Sequence, residues 1–316
     1  MELRNLGRSG LRVSAVGLGC NNLGGRIDLA ASHRVVEAAL EAGITLFDVA
    51  DIYGRDSHYG ASEEALGEIL GSRRNDIVLA TKFGMKMNDA GTLMGASRRY
   101  IMQAVEASLR RLCTDWIDLY QLHTPDPLTP IDETLRALDD VIQSGKVRYI
   151  GCSNLAPWQV VQAEHVGREI GSNRFVSCQD DFSLITDGLR CHLLPALEAY
   201  GLGLLPYFPL AGGLLTGKYR RNTAPPADSR FGRFARLGNP YLNDRNFDRV
   251  EQLEAVARGH GHSLVELAFG WLLAQGPVAS VIAGATRPGQ VQANVAAGSK
   301  RLDPATLAAI EAVLAR

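Results

Sequence analysis

Short apolar, β-branched runs alternate along this chain with stretches whose apolar positions recur every three to four residues. That rhythm is the signature of repeated strand–helix units around a parallel sheet. Eight runs predict strands, near Ala15 to Gly19, Thr45 to Asp48, Ile77 to Thr81, Ile117 to Leu122, Val147 to Ile150, Phe175 to Gln179, Gly203 to Tyr207 and Ala279 to Ala283. Ahead of them, Leu3 to Leu6 and Leu11 to Ser14 flank the turn residues Arg8-Ser9-Gly10 and predict a short hairpin. Helices are predicted over Ser32 to Ala42, with a serine cap and Gly43 as the stop, and from Ser62, where Ser-Glu-Glu-Ala approaches a capping box. Others are predicted over Arg98 to Leu112, Ile131 to Ser144, Phe247 to Gly259 and Ser263 to Gln275. Eight strands with interleaved helices fit a closed (β/α)8 TIM barrel better than an open sheet. No linker or low-complexity break divides the chain, so residues 1–316 are expected to form one barrel domain.

One region breaks the rhythm. Gly212 to Asn246 includes GKYRRNTAPPADSRFGRFARLGNPYLND, in which no regular element is legible. A loop of that length in a compact domain is usually functional or mobile.

Composition narrows the class. Hydrophobic residues make up 46% of the chain, enough for a sizeable core, and 33 Lys and Arg balance 34 Asp and Glu. A balanced charge argues against nucleic acid or an anionic membrane as the main partner. The charged N-terminal stretch lacks the apolar run of a secretory signal, and no segment approaches the roughly 20 apolar residues of a membrane span. The five cysteines, Cys20, Cys113, Cys152, Cys178 and Cys191, are scattered without metal-ligand spacing. The expectation is a cytoplasmic protein with no structural metal or disulfide framework.

The chemistry comes from where polar residues fall. In barrel enzymes the active site lies at the C-terminal ends of the strands. The second predicted strand ends at Asp48, with Tyr53 just beyond, and the third ends at Lys82. The fourth delivers His123, the fifth Gly151-Cys152-Ser153-Asn154, the sixth Gln179 and the seventh Tyr207. Singly, each has an ordinary reading: a strand-end acid, a solvated lysine, a structural histidine, a loop aromatic. Together they place polar groups at strand end after strand end, which folding alone does not require.

Three segments carry a resemblance. Phe47-Asp48-Val49-Ala50-Asp51-Ile52-Tyr53-Gly54, Ala80-Thr81-Lys82-Phe83-Gly84 and Leu119-Tyr120-Gln121-Leu122-His123 resemble the catalytic segments of the aldo-keto reductases, with Val49 where threonine is more usual. The likeness runs over essentially the whole chain. It is closest to the branch that includes potassium-channel beta subunits and many bacterial reductases. The resemblance implies an NADPH-dependent reductase of small aldehydes or ketones, with Asp48, Tyr53, Lys82 and His123 as its catalytic tetrad. It implies that Ser153, Asn154 and Gln179 hold the nicotinamide amide and that Tyr207 stacks on its ring. Pro209, Leu210, Ala211 and Gly212 then open a cofactor-covering loop in which Lys218 and Arg230 grip the pyrophosphate. Gly284, Thr286, Gln290 and Asn294 match the adenosine-phosphate segment, and within it Arg287, whose guanidinium suits a phosphate, and Gln290 are expected to favour NADPH over NADH. Three departures stand out: Phe208 in place of a serine, Asp180-Asp181-Phe182 where an Asn-Glu-Tyr-like run is typical, and Ala293 in place of an adenine-binding glutamate.

Carbonyl reduction needs a hydride at carbon and a proton on the developing alkoxide. Tyrosine, with an ordinary pKa of about 10, is a weak acid at neutral pH. An ammonium at roughly 4 Å, with an effective dielectric of about 20, attracts a tyrosinate by about 4 kcal/mol. Lys82 is therefore expected to draw the Tyr53 pKa down, against the opposing effect of desolvation. Asp48 is expected to keep Lys82 charged, and His123 to donate to the carbonyl oxygen.

Other readings compete. Gly17-Leu18-Gly19 after a strand invites a dinucleotide-binding fold, but the third glycine of that motif would fall on Asn22. His260-Gly261-His262 reads as a helix junction rather than a metal site. Lys82 at a strand end permits a Schiff-base class I aldolase. A redox-sensing protein that binds NADPH and turns over slowly is the remaining alternative.

Overall fold

The fold is taken from a computed structural model that describes residues 1–54, 57–238 and 240–315. Asn239, within the long loop, lies outside the described residues, as do Arg55, Asp56 and Arg316. The chain opens with an antiparallel hairpin, β1 (Leu3–Asn5) and β2 (Arg12–Ser14). Eight parallel strands follow: β3 (Val16–Gly19), β4 (Leu46–Asp48), β5 (Val78–Phe83), β6 (Ile117–Leu122), β7 (Val147–Ser153), β8 (Ser177–Asp181), β9 (Gly203–Tyr207) and β10 (Val281–Gly284). They pair in the order β10-β3-β4-β5-β6-β7-β8-β9. The ring closes where Leu204 N donates to Pro277 O at 2.7 Å and Leu204 O accepts in return from Ala279 N at 3.0 Å. The architecture is the expected (β/α)8 TIM barrel.

Strand alternation divides the core in two. One face of each strand packs outward against the helices. The other fills the barrel interior, where Leu46, Ala80, Leu119, Leu205 and Ile282 meet Leu6 and Val13 of the hairpin. The hairpin thus plugs the N-terminal end. Gly7 makes that docking possible: it has φ 58°, and a β-carbon there would lie 2.5 Å from Gly201 O. With that end sealed, the C-terminal end is left for chemistry.

The helices are α1 (Leu29–Glu41), α2 (Ala61–Leu70), α3 (Arg98–Arg111), α4 (Ile131–Gln143), α5 (Pro157–Glu169) and α6 (Leu193–Tyr200). After β9 come the short α7 (Arg230–Arg233) and α8 (Ala235–Gly238), then α9 (Asp244–Gly259), α10 (Leu264–Ala274), α11 (Pro288–Gly298) and α12 (Pro304–Leu314). Two expected caps are wrong. Asp28, not Ser32, caps α1, accepting from Ala31 N at 2.7 Å, while the Ser32 hydroxyl donates back to Asp28 O inside the first turn. Ser62 does not cap α2. Its hydroxyl donates to Cys20 O at 2.6 Å, stitching the helix to the exit of β3.

The long loop is also more ordered than its sequence suggests. It holds a tight turn over Ala211–Thr216, then α7 and α8, and α9 begins at Asp244, capped by Asn243, three residues before the expected start. Local periodicity could not reveal this, because aromatic stacking between distant positions fixes the loop. Tyr219 lies on Phe231 at 5.0 Å, and Phe231 on Tyr241 at 5.5 Å.

Candidate active site

The inward-facing positions of β4 and β5 bring Asp48 and Lys82 side by side. Lys82 is 0% exposed, and its ammonium donates to Asp48 Oδ2 at 2.6 Å, Val49 O at 3.1 Å and the Tyr53 hydroxyl at 3.3 Å. Three acceptors saturate its three donors. The other carboxylate oxygen of Asp48 accepts from Gln179 Nε2 at 2.9 Å and Gln121 Nε2 at 3.2 Å. Both oxygens are thus held, and the buried ion pair has the additional hydrogen bonds that such pairs require.

Tyr53 hangs on a turn beyond β4. Asp51 N donates to Lys82 O at 3.1 Å, Tyr53 N donates to Ala50 O at 3.1 Å, and the start of α2 donates to Tyr53 O through Gly60 N and Ser62 N. His123 follows β6, its backbone N–H bonded to Phe83 O at 2.8 Å. The Tyr53 and His123 rings stand edge to face, with centroids 5.9 Å apart. The four residues singled out at strand ends in the sequence are therefore together.

The electrostatics differ from expectation at one point. Burial pulls the Lys82 ammonium toward neutrality, but Asp48 and Tyr53 outweigh it, and its pKa is raised. Burial pushes the Tyr53 phenol up, Lys82 draws it down and Asp48 pushes it up again, leaving it above its ordinary value. The expectation that Lys82 lowers this pKa overall is corrected. The reason is that desolvation of the buried phenol outweighs the attraction of Lys82, an attraction that Asp48, 2.6 Å from the ammonium, further opposes. Burial, with Lys82 adding to it, lowers His123 to about 3, so its ring is neutral. Its Nδ1 is buried with no partner.

Tyr53, His123 and Asp48 line one end of a cleft of about 780 Å³ that continues to Gln290 and Asn294 at α11. Next to the tetrad the walls are already knitted. The Tyr207 hydroxyl donates to Asn154 Oδ1 at 2.8 Å, Asn154 Nδ2 donates to His123 O at 3.0 Å, and Ser153 Oγ donates to Gln179 O at 2.7 Å. Pro209, Leu210, Gly212, Lys218 and Arg230 line the middle. Gly284, Thr286 and Arg287 line the far end, where Gln290 Oε1 accepts from Thr286 N at 2.8 Å. Ala211 is the exception among the expected cofactor residues: it is fully buried beneath the cleft, in a turn with φ 47°.

The cleft fits a long, multiply charged dinucleotide. Arg230 lies over the Phe208 ring at 4.6 Å, and among the described residues its buried Nε has no partner. A guanidinium held in that way is suited to an anion. Burial, with Arg26 beside it, lowers its pKa below the usual arginine value.

Several residues at the site went unread in the sequence. Gln121 had a signal: Leu119, Gln121 and His123 share one face by strand alternation. Asn21, Asn22 and Arg26, in the loop after β3, had none. Arg26 Nη2 donates to Asp228 O at 3.0 Å, spanning from that loop to the long loop after β9. Among the described residues, no group of three or more His, Cys, Asp or Glu is arranged to hold a metal ion. No helix of the described residues is long and apolar enough to cross a membrane.

Comparison with known proteins agrees with this geometry. The family model described as "Aldo/keto reductase family" matches residues 15–315. A "Probable voltage-gated potassium channel subunit beta" of Oryza sativa subsp. japonica is 36% identical over 326 aligned positions, covering 99% of this chain and 97% of that protein. An "L-glyceraldehyde 3-phosphate reductase" of Escherichia coli is 33% identical over 307 positions, 94% of this chain and 87% of its own length. An uncharacterized oxidoreductase of Bacillus subtilis is 37% identical over 315 positions, 98% of this chain and 96% of its own. The chain therefore belongs to the aldo/keto reductase family of carbonyl-reducing oxidoreductases.

Proposed function

We propose that this chain is an NADPH-dependent reductase of small aldehydes or ketones, its single domain carrying tetrad and cofactor cleft together. The observation that carries this reading is the buried Lys82 ammonium, shared between Asp48 and the Tyr53 hydroxyl at the end of the cleft. The cleft residues would hold NADPH, which would supply the hydride for the carbonyl carbon. Ser153, Asn154 and Gln179 would hold its amide and Tyr207 its ring. Lys218 and Arg230 would hold the pyrophosphate, and Arg287 and Gln290 the 2′-phosphate.

Tyr53 gives its proton to the forming alkoxide. As the proton leaves, the Lys82 ammonium at 3.3 Å meets the growing negative charge on the phenol oxygen. Asp48 keeps that ammonium charged, and Gln121 and Gln179 keep Asp48 from turning away. The neutral His123 ring donates an N–H to the carbonyl oxygen and orients it.

This arrangement weighs against the aldolase reading. A Schiff-base lysine attacks as a free amine, whereas the Lys82 ammonium is charged, fully buried and bonded to three acceptors. A second reading has one observation in its favour, the similarity to proteins named as potassium channel beta subunits. In it the same site binds NADPH and turns over slowly, reporting the cofactor's redox state.

A panel of aldehydes and ketones, followed by NADPH absorbance and repeated with NADH, separates these readings. Multiple turnovers with a higher kcat/KM for NADPH support the reductase. A single turnover with every carbonyl supports the sensor, and equal kcat/KM for the two cofactors contradicts the 2′-phosphate assignment.

A further inference from the structure

The Asp180-Asp181-Phe182 run, set apart in the sequence, finds a use outside the tetrad. Asp181 is the last residue of β8, and its Oδ2 accepts from the Tyr241 hydroxyl at 2.6 Å. Tyr241 belongs to the long loop, sixty residues away in sequence. It is the end of the aromatic ladder in which Tyr241 lies on Phe231 with an interplanar angle of 21°, and Phe231 on Tyr219 at 26°. At the ladder's other end the Tyr219 hydroxyl donates to Gly212 O at 3.3 Å and accepts from Phe231 N at 3.3 Å. Gly212 has φ 64°, and a β-carbon there would fall 2.2 Å from the Phe231 ring. Only glycine lets the ladder rest on that turn.

The ladder positions the residues beside it. Arg230 immediately precedes Phe231, and it projects over Phe208 into the cleft. Asp228, two residues earlier, is held from the opposite wall by Arg26. The segment from Asp228 to Phe231 therefore spans the cleft between two attachments. Arg26 grips one side by a backbone carbonyl. The other is the ladder, tied to the barrel by a hydrogen bond to a carboxyl group.

We propose that the Tyr241–Asp181 hydrogen bond is the latch that fixes the cleft-spanning segment and sets the rate at which the dinucleotide leaves. Tyr241 and Asp181 are positioning residues: neither lines the cleft, and both act through where Arg230 stands. The proposal rests on the reading of the cleft as an NADPH site.

Tyr241→Phe removes the hydroxyl and keeps the ring stack. Release of NADPH, followed by stopped-flow fluorescence while excess NADP⁺ displaces it, should accelerate on the order of tenfold, as loss of a hydrogen bond to a charged group implies. The association rate should stay close to that of the unaltered protein. Asp181→Asn keeps an acceptor without the charge and should give a smaller acceleration. The double variant should release no faster than Tyr241→Phe alone, because both substitutions remove one interaction. Release at the unaltered rate in Tyr241→Phe, or additive effects in the double variant, overturns the latch. If Tyr241→Phe does not fold, Asp181→Asn decides: unchanged release overturns the proposal and faster release supports it. Absence of NADPH binding to the unaltered protein would instead overturn the cofactor reading, which keeps the two failures distinguishable.

Discussion

The Lys82 ammonium stands 3.3 Å from the Tyr53 hydroxyl, yet the phenol is harder to ionise than a free tyrosine. Proximity to a cation does not by itself make tyrosine acidic when the phenol is buried and the same cation is paired at 2.6 Å with Asp48. In the proposed mechanism Lys82 stabilises charge that forms only as the proton leaves. That contribution would be made in the transition state and not in the resting protein.

Removing that cation should cost stability as well as activity. Lys82→Met leaves Asp48 buried and unpaired, which implies a loss of about 3–5 kcal/mol. Adding Asp48→Asn removes the stranded charge and should restore part of the stability without restoring reduction. Urea denaturation and turnover, measured side by side on the two variants, check this. A Lys82→Met variant as stable as the unaltered protein would mean that the pair is not the buried ionic unit described here.

The pH dependence separates Tyr53 from His123 as proton donor. The folded pKa of His123 is lowered to about 3, so the ring is neutral above that and carries no proton to give near neutrality. Tyr53, with its pKa raised, stays protonated through the neutral range and loses its proton only at high pH. The kcat for reduction should therefore show no ionisation of His123 near its ordinary value of about 6.5, and should fall in the alkaline range. An inflection near that value that disappears in His123→Gln would assign the proton to the imidazole instead.

The eight strand runs were legible in the sequence because each barrel strand is short, apolar and bounded by turn residues. The placement of Asp48, Lys82 and His123 was legible because they fall at the ends of those runs. What stayed hidden depends on contacts between distant residues. The Arg26–Asp228 bond links positions 202 apart, and the ladder of Tyr219, Phe231 and Tyr241 gives its loop an order that no local pattern encodes. The sign of the Tyr53 shift was hidden for the same reason, since it follows from how deeply the phenol is walled in.

Asp51 provides a separate test of the electrostatics behind the site. It is 1% exposed, and burial, with Glu63 adding to it, raises its pKa well above the usual carboxylate range. A carboxyl whose folded pKa is raised contributes stability that is fully present below its unfolded pKa of about 3.9 and is lost as pH rises through the folded value. Asp51→Asn mimics the protonated form and should flatten that loss. Its stability relative to the unaltered protein should improve as pH rises above the unfolded pKa of about 3.9. A difference that does not change with pH would show that Asp51 is ionised in the folded state.

The central assignment, Tyr53 as the proton donor, is tested most directly by Tyr53→Phe. The ring and its packing remain, and only the hydroxyl beside Lys82 is lost. Single-turnover reduction of an activated aldehyde is the measurement, with NADPH affinity determined in parallel by fluorescence. Loss of a positioned general acid implies a fall in rate of about 10²–10⁴-fold. NADPH affinity should be nearly unchanged, because the hydroxyl is placed against the reacting oxygen and not against the cofactor. A Tyr53→Phe variant that reduces the aldehyde at close to the unaltered rate, with its NADPH affinity intact, would contradict the mechanism.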